Sequence, residues 1–220
     1  MSTKAVNEIG CFGKIPAHGD FVWQGLPADF VTPWDNWLQS QLLNLREARQ
    51  DDWLDIYLQS NIWRFVLRDS RLGSGTWAGV ITPSVDMVGR YFPFTIASNV
   101  AHHSSVVTSI SKLDQWFTST ETLLLDSMQT SSPIDDLMEQ VRTVSIPLLA
   151  ERNIEGTDSS SIDQLWHARN VDSEPWAAVM LESLVYRQFE EPCVWETLDR
   201  EGVREVQITE GAQGFTRLFY

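Results

Sequence analysis

The stretch IWRFVLRDSRLGSGTWAGVIT, residues 62–82, decides the fold class. Its two runs, Ile62–Leu67 and Trp77–Thr82, are short and rich in aromatic and β-branched residues, the composition of strands. The segment Asp69–Gly75 between them carries the Asp, Ser and Gly of a turn, so the two runs are expected to pair as a hairpin.

Outward from this hairpin the periodicity changes. Upstream, Trp34, Trp37, Leu38, Leu42 and Leu45 recur at helical spacing and predict one buried helix face. Thr32 as cap, Pro33 at the first helical position and Asp35 as the capping-box acid place the start of that helix. Downstream, Phe94–Val100 reads as a further strand, and Leu113, Trp116, Phe117, Leu124 and Met128 mark an amphipathic helix. Ser132-Pro133 with Asp135 repeats the capping pattern for a shorter helix that Pro147 should end. Asn153–Ser161 reads as a surface loop, Ile162–Arg169 and Trp176–Leu181 as strands, and Glu191-Pro192 as the lead into a last helix. Mixed elements of this kind predict an α/β or α+β fold: a single domain over residues 1–220, with helices packed on a mixed or antiparallel sheet.

At 43% hydrophobic and 21% charged residues, the chain has the composition of a globular protein with a substantial core. Most of its ten tryptophans are expected in that core, with Trp34, Trp37, Trp63 and Trp77 foremost. The formal charge is −14 and uneven: residues 1–110 hold ten acids and eight bases, residues 111–220 twenty acids and eight bases. That excess disfavours nucleic acid and anionic membrane surfaces as partners and permits a basic protein surface. Cys11 and Cys193 are far apart and outside any CxxC spacing, which suggests neither a disulfide framework nor a thiolate metal site. The N-terminal residues lack the pattern of a signal peptide, and no apolar run is long enough to span a bilayer, so a cytoplasmic location without membrane insertion is expected.

Enzymatic and cofactor motifs are missing: there is no Walker loop, GxGxxG, HExxH or GxSxG. No cofactor or metal is expected. His18, His102, His103 and His167 are scattered, and the adjacent pair points in two directions, a poor chelate. Two segments look specialised. In Gly10–Phe21 (GCFGKIPAHGDF), three glycines and a proline surround Lys14 and Asp20, which are placed to form an ion pair, either facing a partner or structural. In Trp77–Pro93 (WAGVITPSVDMVGRYFP), a strand runs into Pro83 and a polar turn follows. Ser84 and Asp86 are readable as nucleophile and acid, but no histidine is near in sequence to serve as base. The simpler expectation is that Ser84 or Asp86 binds turn N–H groups while Asp86 and Arg90 pair across the turn.

Together these segments resemble the TagF family of type VI secretion-associated proteins. The matching residues are GxxGKxPxxGDF at Gly10–Phe21, Pro33-Trp34-Asp35 with Trp37, Trp63-Arg64-Phe65, and WxGVxxPSVDxVGRxFP at Trp77–Pro93. Beyond about Val100 the match fades. Where the family often carries Ser-Leu-Trp-Trp, this chain has Gln164-Leu165-Trp166-His167. The resemblance implies a cytoplasmic, post-translational negative regulator that contacts the forkhead-associated scaffold protein of the apparatus and is not an enzyme. Lys14, Asp20, Ser84, Asp86 and Arg90 are then the candidates for binding the partner or ordering the loops. The rival classes are a hydrolase using Ser84 and Asp86, and a structural accessory subunit.

Overall fold

A computed structural model describes residues 9–100, 105–147, 154–156, 166–168, 176–198 and 203–219. Its centre is an antiparallel sheet of seven strands in the order β2-β1-β5-β4-β3-β8-β9. These are β1 (Ile9–Gly13), β2 (Val22–Gln24), β3 (Trp63–Leu67), β4 (Trp77–Thr82), β5 (Phe94–Asn99), β8 (Pro192–Leu198) and β9 (Arg204–Glu210). The expected hairpin is there, with Phe65 opposite Gly79 and Leu67 opposite Trp77. A separate pair, β6 (Ile154–Gly156) and β7 (Trp166–Ala168), forms a small antiparallel sheet. The fold is α+β, as anticipated, and its main sheet is wholly antiparallel.

Helices cover both faces. On one face α1 (Ala28–Arg49) and α2 (Trp53–Gln59) pack on Phe12, Phe65, Trp77 and Trp195 of the sheet. On the other, α3 (Val106–Lys112), α4 (Asp114–Thr130) and α5 (Ile134–Thr143) pack on Cys11, Val66, Val80, Ile96 and Val194. The last helix is α6 (Trp176–Gln188). A strand covered on both sides loses polar alternation, and every residue of β3 and β4 is buried. The first face is aromatic, the second aliphatic. Trp34 is the hub of the aromatic face, within 5.1 Å of the Phe65 ring and 4.7 Å of Trp37, with its indole N–H donating to Thr95 Oγ1 at 3.0 Å. Gly79 is obligatory beneath it, because a β-carbon there would enter the Phe65 ring.

A buried guanidinium lies on the aliphatic face. Arg64 donates to both oxygens of Glu121, to Asp114 and to Glu196, at 2.7 to 3.3 Å. All three carboxylates come from the acidic half of the chain, so part of that excess neutralises a buried guanidinium. Burial would lower the Arg64 pKa, but the hydrogen bonds and charge of Glu121, Asp114 and Glu196 reverse this and keep the group fully protonated.

Several sequence expectations are corrected. Helix α1 begins at Ala28, ahead of Thr32, with Pro33 inside it and Pro27 as the flanking residue. Burial of Phe30 and Val31 in the same core outweighs the local start signal, and the Asp29 carbonyl forgoes one helical bond to Pro33. Nor does Asp35 close a capping box; it accepts from Gln39 one turn on. Trp176–Leu181 belongs to α6, not to a strand, as suits its Ala, Met, Leu and Glu content over a longer run. Pro192–Leu198 is a strand, not a helix, with Pro192 at its first position, where a missing N–H is tolerated. At the cap of α5 stands Pro133, without a side-chain bond from Ser132. Within the expected loop, 154–156 forms β6; within the expected strand at 162–169, 166–168 forms β7. The flanking residues, His102, His103 and Gln164-Leu165 lie outside the described residues.

The four nominated tryptophans are all buried, between 0% and 5% exposed. Trp34→Ala should therefore lower unfolding stability by about 3 to 5 kcal/mol, measured by urea titration with the fold checked by circular dichroism.

Candidate functional site

Two loops meet at one end of the sheet. The first, residues 14–21, joins β1 to β2; the second, residues 83–93, joins β4 to β5. They are neighbours because β1 pairs with β5, from Ile9 opposite Ser98 to Gly13 opposite Phe94. Gly13 sits at φ 133°, and a side chain on it would strike the Pro93 carbonyl, so close passage of the two chains requires glycine.

Asp86 joins the loops. Its carboxylate is fully buried. Oδ2 accepts from Lys14 Nζ at 2.5 Å and from Arg90 Nε at 2.7 Å, while Oδ1 accepts from the main-chain N–H of Val88 at 3.0 Å and of Arg90 at 2.8 Å. Burial alone would raise this carboxyl; the bonds from Lys14, from the Arg90 main chain and side chain, and from Val88 outweigh it and hold the group far below the usual carboxylate range. Further ties cross the gap: Met87 N–H donates to the His18 carbonyl at 2.9 Å, and Arg90 Nη2 donates to the Gly19 carbonyl. The turn itself closes through Asp86 N–H to the Arg90 carbonyl and Gly89 N–H to the Asp86 carbonyl, both 3.0 Å, with Gly89 at φ 86°.

The nominated residues therefore divide. Lys14, Asp86 and Arg90 form one contiguous ion cluster. The expected pairing of Asp86 with Arg90 is present. Lys14, however, pairs with Asp86 and not with Asp20, because its ammonium turns inward below the Phe21 ring, 4.8 Å from the ring centre. Asp20 stays at the rim, 88% exposed and 3.9 Å from Arg90 Nη2. Ser84 is buried, and its hydroxyl has no hydrogen-bond partner among the described residues. Its main chain is held instead: the Tyr57 hydroxyl donates to the Ser84 carbonyl and accepts from its N–H, each at 2.8 Å. Burial raises the Tyr57 phenol, so it remains protonated and able to donate. With the Asp86 carboxylate occupied by cations and main-chain donors, Ser84 and Asp86 are not arranged as nucleophile and acid.

Sequence reading passed over the outer surface of this cluster. Phe21, Met87 and Val88 are 46%, 67% and 63% exposed. Phe21 packs edge-on to Phe92 at 4.9 Å and stacks on Phe12 at 5.8 Å, so it is fixed despite its exposure. Tyr57 carried no signal, since its role depends on the approach of α2 to the second loop. Among the described residues no group of His, Cys, Asp and Glu is placed to hold a metal, and no helix is long and apolar enough to cross a membrane.

Comparison with known proteins settles the family. The model of the TagF N-terminal domain, Type VI secretion system-associated, matches residues 10–144, more than half of the chain and both loops. The chain belongs to the TagF N-terminal domain family. The same fold occurs in the crystal structure of PA0076 from Pseudomonas aeruginosa PAO1, which is 28% identical, with a TM-score of 0.77 over 96% of this chain and 93% of that one. No match was found among curated proteins. The likeness to PA0076 thus extends past the TagF match into the acidic half.

Because the folded Asp86 carboxyl titrates below its unfolded value, it contributes stability above that value, about pH 4, and the contribution fades as pH falls toward the folded one. Asp86→Asn should melt well below the wild type near neutral pH. The gap in Tm should narrow as pH is lowered below about 4, in thermal melts of the two proteins side by side.

Proposed function

We propose that this TagF domain is a cytoplasmic, non-catalytic negative regulator of a type VI secretion system, acting by binding, with the forkhead-associated scaffold protein of the apparatus as its partner. The observation that carries this reading is the pair of cross-braced loops, which displays Phe21, Met87 and Val88 around a cluster in which the buried Asp86 carboxylate is held by buried Lys14 and half-exposed Arg90. Exposed apolar side chains on a fixed backbone suit protein recognition, because little conformational freedom remains to be lost on binding. Lys14 and Arg90 set two cations against the one carboxylate of Asp86, so on a chain of charge −14 this place does not share the general acidity. The identity of the partner rests on the TagF resemblance, and the loops that would meet it are the segments richest in family residues.

The test is co-purification with the forkhead-associated scaffold from the same genome. Met87→Asp with Val88→Asp, both at solvent-facing positions, should weaken the complex by at least about tenfold and relieve repression of secretion while the melting curve stays unchanged. An undiminished complex would place the partner elsewhere. Absence of any complex with the wild type would remove the scaffold as partner.

A further inference from the structure

The two edges of the seven-stranded sheet differ. Strand β2 has three residues, whereas β9 has seven and, among the described residues, pairs only with β8. Which of its main-chain groups face outward follows from parity. Gly211 N–H donates to the Glu191 carbonyl, so the pairs Cys193–Thr209, Trp195–Gln207 and Thr197–Glu205 in the same register exchange hydrogen bonds. The main-chain donors and acceptors of Arg204, Val206, Ile208 and Glu210 therefore point away from β8, to the open edge. Charge at the ends of a strand is a usual guard of such an edge, but the middle of β9 is Val206-Gln207-Ile208, with Val206 51% exposed.

We propose that β9 pairs antiparallel with β9 of a second copy about a two-fold axis at Gln207, joining two sheets into one. This goes beyond the regulatory reading and does not depend on it. In that register all seven residues are paired. Val206 lies opposite Ile208 of the second copy, and Arg204, held by Glu196 and Asp114 of its own chain, lies opposite Glu210, whose carboxylate accepts from the Glu190 and Glu191 N–H groups; these four are the residues whose main-chain N–H and C=O groups face the edge, so parity and register agree. The sequence Arg-Glu-Val-Gln-Ile-Thr-Glu is thus complementary to itself in branched side chains about its centre. A shift of two residues sets Glu210 against Val206 and loses the Val206–Ile208 pairs. Ile208 already packs against the aliphatic core, so Val206 of the second copy would extend that layer across the junction. The recognition loops lie by β1 and β2, at the far side of the sheet, and remain free.

Gln207 faces itself in a non-hydrogen-bonded pair, where Cα atoms approach to about 4.5 Å, within the range a disulfide spans. The native Cys11 and Cys193 are fully buried and do not compete. Sedimentation of the full chain at about 0.15 M salt, which confines repulsion between the two acidic copies to about 8 Å, should show a monomer–dimer equilibrium. Val206→Pro removes an outward N–H and no bond to β8, so it should weaken dimerisation by about tenfold or more with an unchanged melt. On mild oxidation Gln207→Cys should give a covalent dimer, and Glu205→Cys, which faces Thr209, should not. A monomer at every concentration up to about 100 μM would overturn the proposal, since weaker pairing has no consequence for this fold. So would a dimer that survives Val206→Pro and does not cross-link through residue 207. Capture of a strand from another protein by a chain that stays monomeric would overturn it too, because the occupant would then be a different one.

Discussion

A sheet covered by helices on both faces imposes one constraint from which most of the structure follows: each strand must be apolar on two sides while keeping its hydrogen bonds. In this chain the two sides are divided by size. Phe65, Trp77 and Trp195 meet α1, while Val66, Val80, Ile96 and Val194 meet α3, α4 and α5. Rings stacked on one face leave room for little else, so Gly79 lies under Phe65. Arg64 is the exception that the constraint penalises most, since a guanidinium taken out of water needs compensation on every side. Glu121, Asp114 and Glu196 supply it, and in doing so tie α4 and β8 to the hairpin.

At the end of that sheet the same problem is solved for a different purpose. A buried carboxylate with four donors is a rigid junction, and Asp86 has two donors from its own turn and one each from the side chains of Lys14 and Arg90. With the charges satisfied underneath, the apolar tips of Phe21, Met87 and Val88 remain at the surface without the loops collapsing over them. Framework and exposed apolar surface are thus carried by different side chains of the same two segments. Of the ionisable residues that draw attention in a sequence, Lys14 and Asp86 thus lie beneath the surface, while Arg90 and Asp20 reach its rim.

Legibility in the sequence followed the range of the interactions. The hairpin of β3 and β4, the strand β5 and the helix α4 were readable because composition and period were strong over short distances. Asp86 and Arg90 were readable as a pair because four residues separate them. Lys14 was assigned to Asp20, six positions away, when its partner is 72 positions away; nothing local distinguishes the two carboxylates. Strand β1 is not legible in the sequence, since Gly10 and Gly13 conceal a strand whose close packing demands them. Pro192 suggested a helix start and opens a central strand instead, and Pro33 suggested the first turn of a helix that had already begun. In each case a tertiary neighbour overrode a correct statement about the residue itself.

The order of strands also bears on how the chain is made. Strands β3 and β4 each pair with the strand that follows them, so the β3-β4-β5 meander can close as it leaves the ribosome. Strand β1, synthesised first, has to wait for β5, and β3 keeps one side open until β8 arrives, with Arg64 and Glu196 132 positions apart. Until then Arg64 lacks one of its carboxylates, and the loop junction forms only once β1 has docked on β5. Contacts of such long sequence separation are slow to form and leave strand edges exposed meanwhile. The loop junction is therefore a late product of folding: a nascent or incompletely folded copy presents neither the junction nor the fixed apolar tips of Phe21, Met87 and Val88, so whatever depends on that surface is withheld from an immature chain.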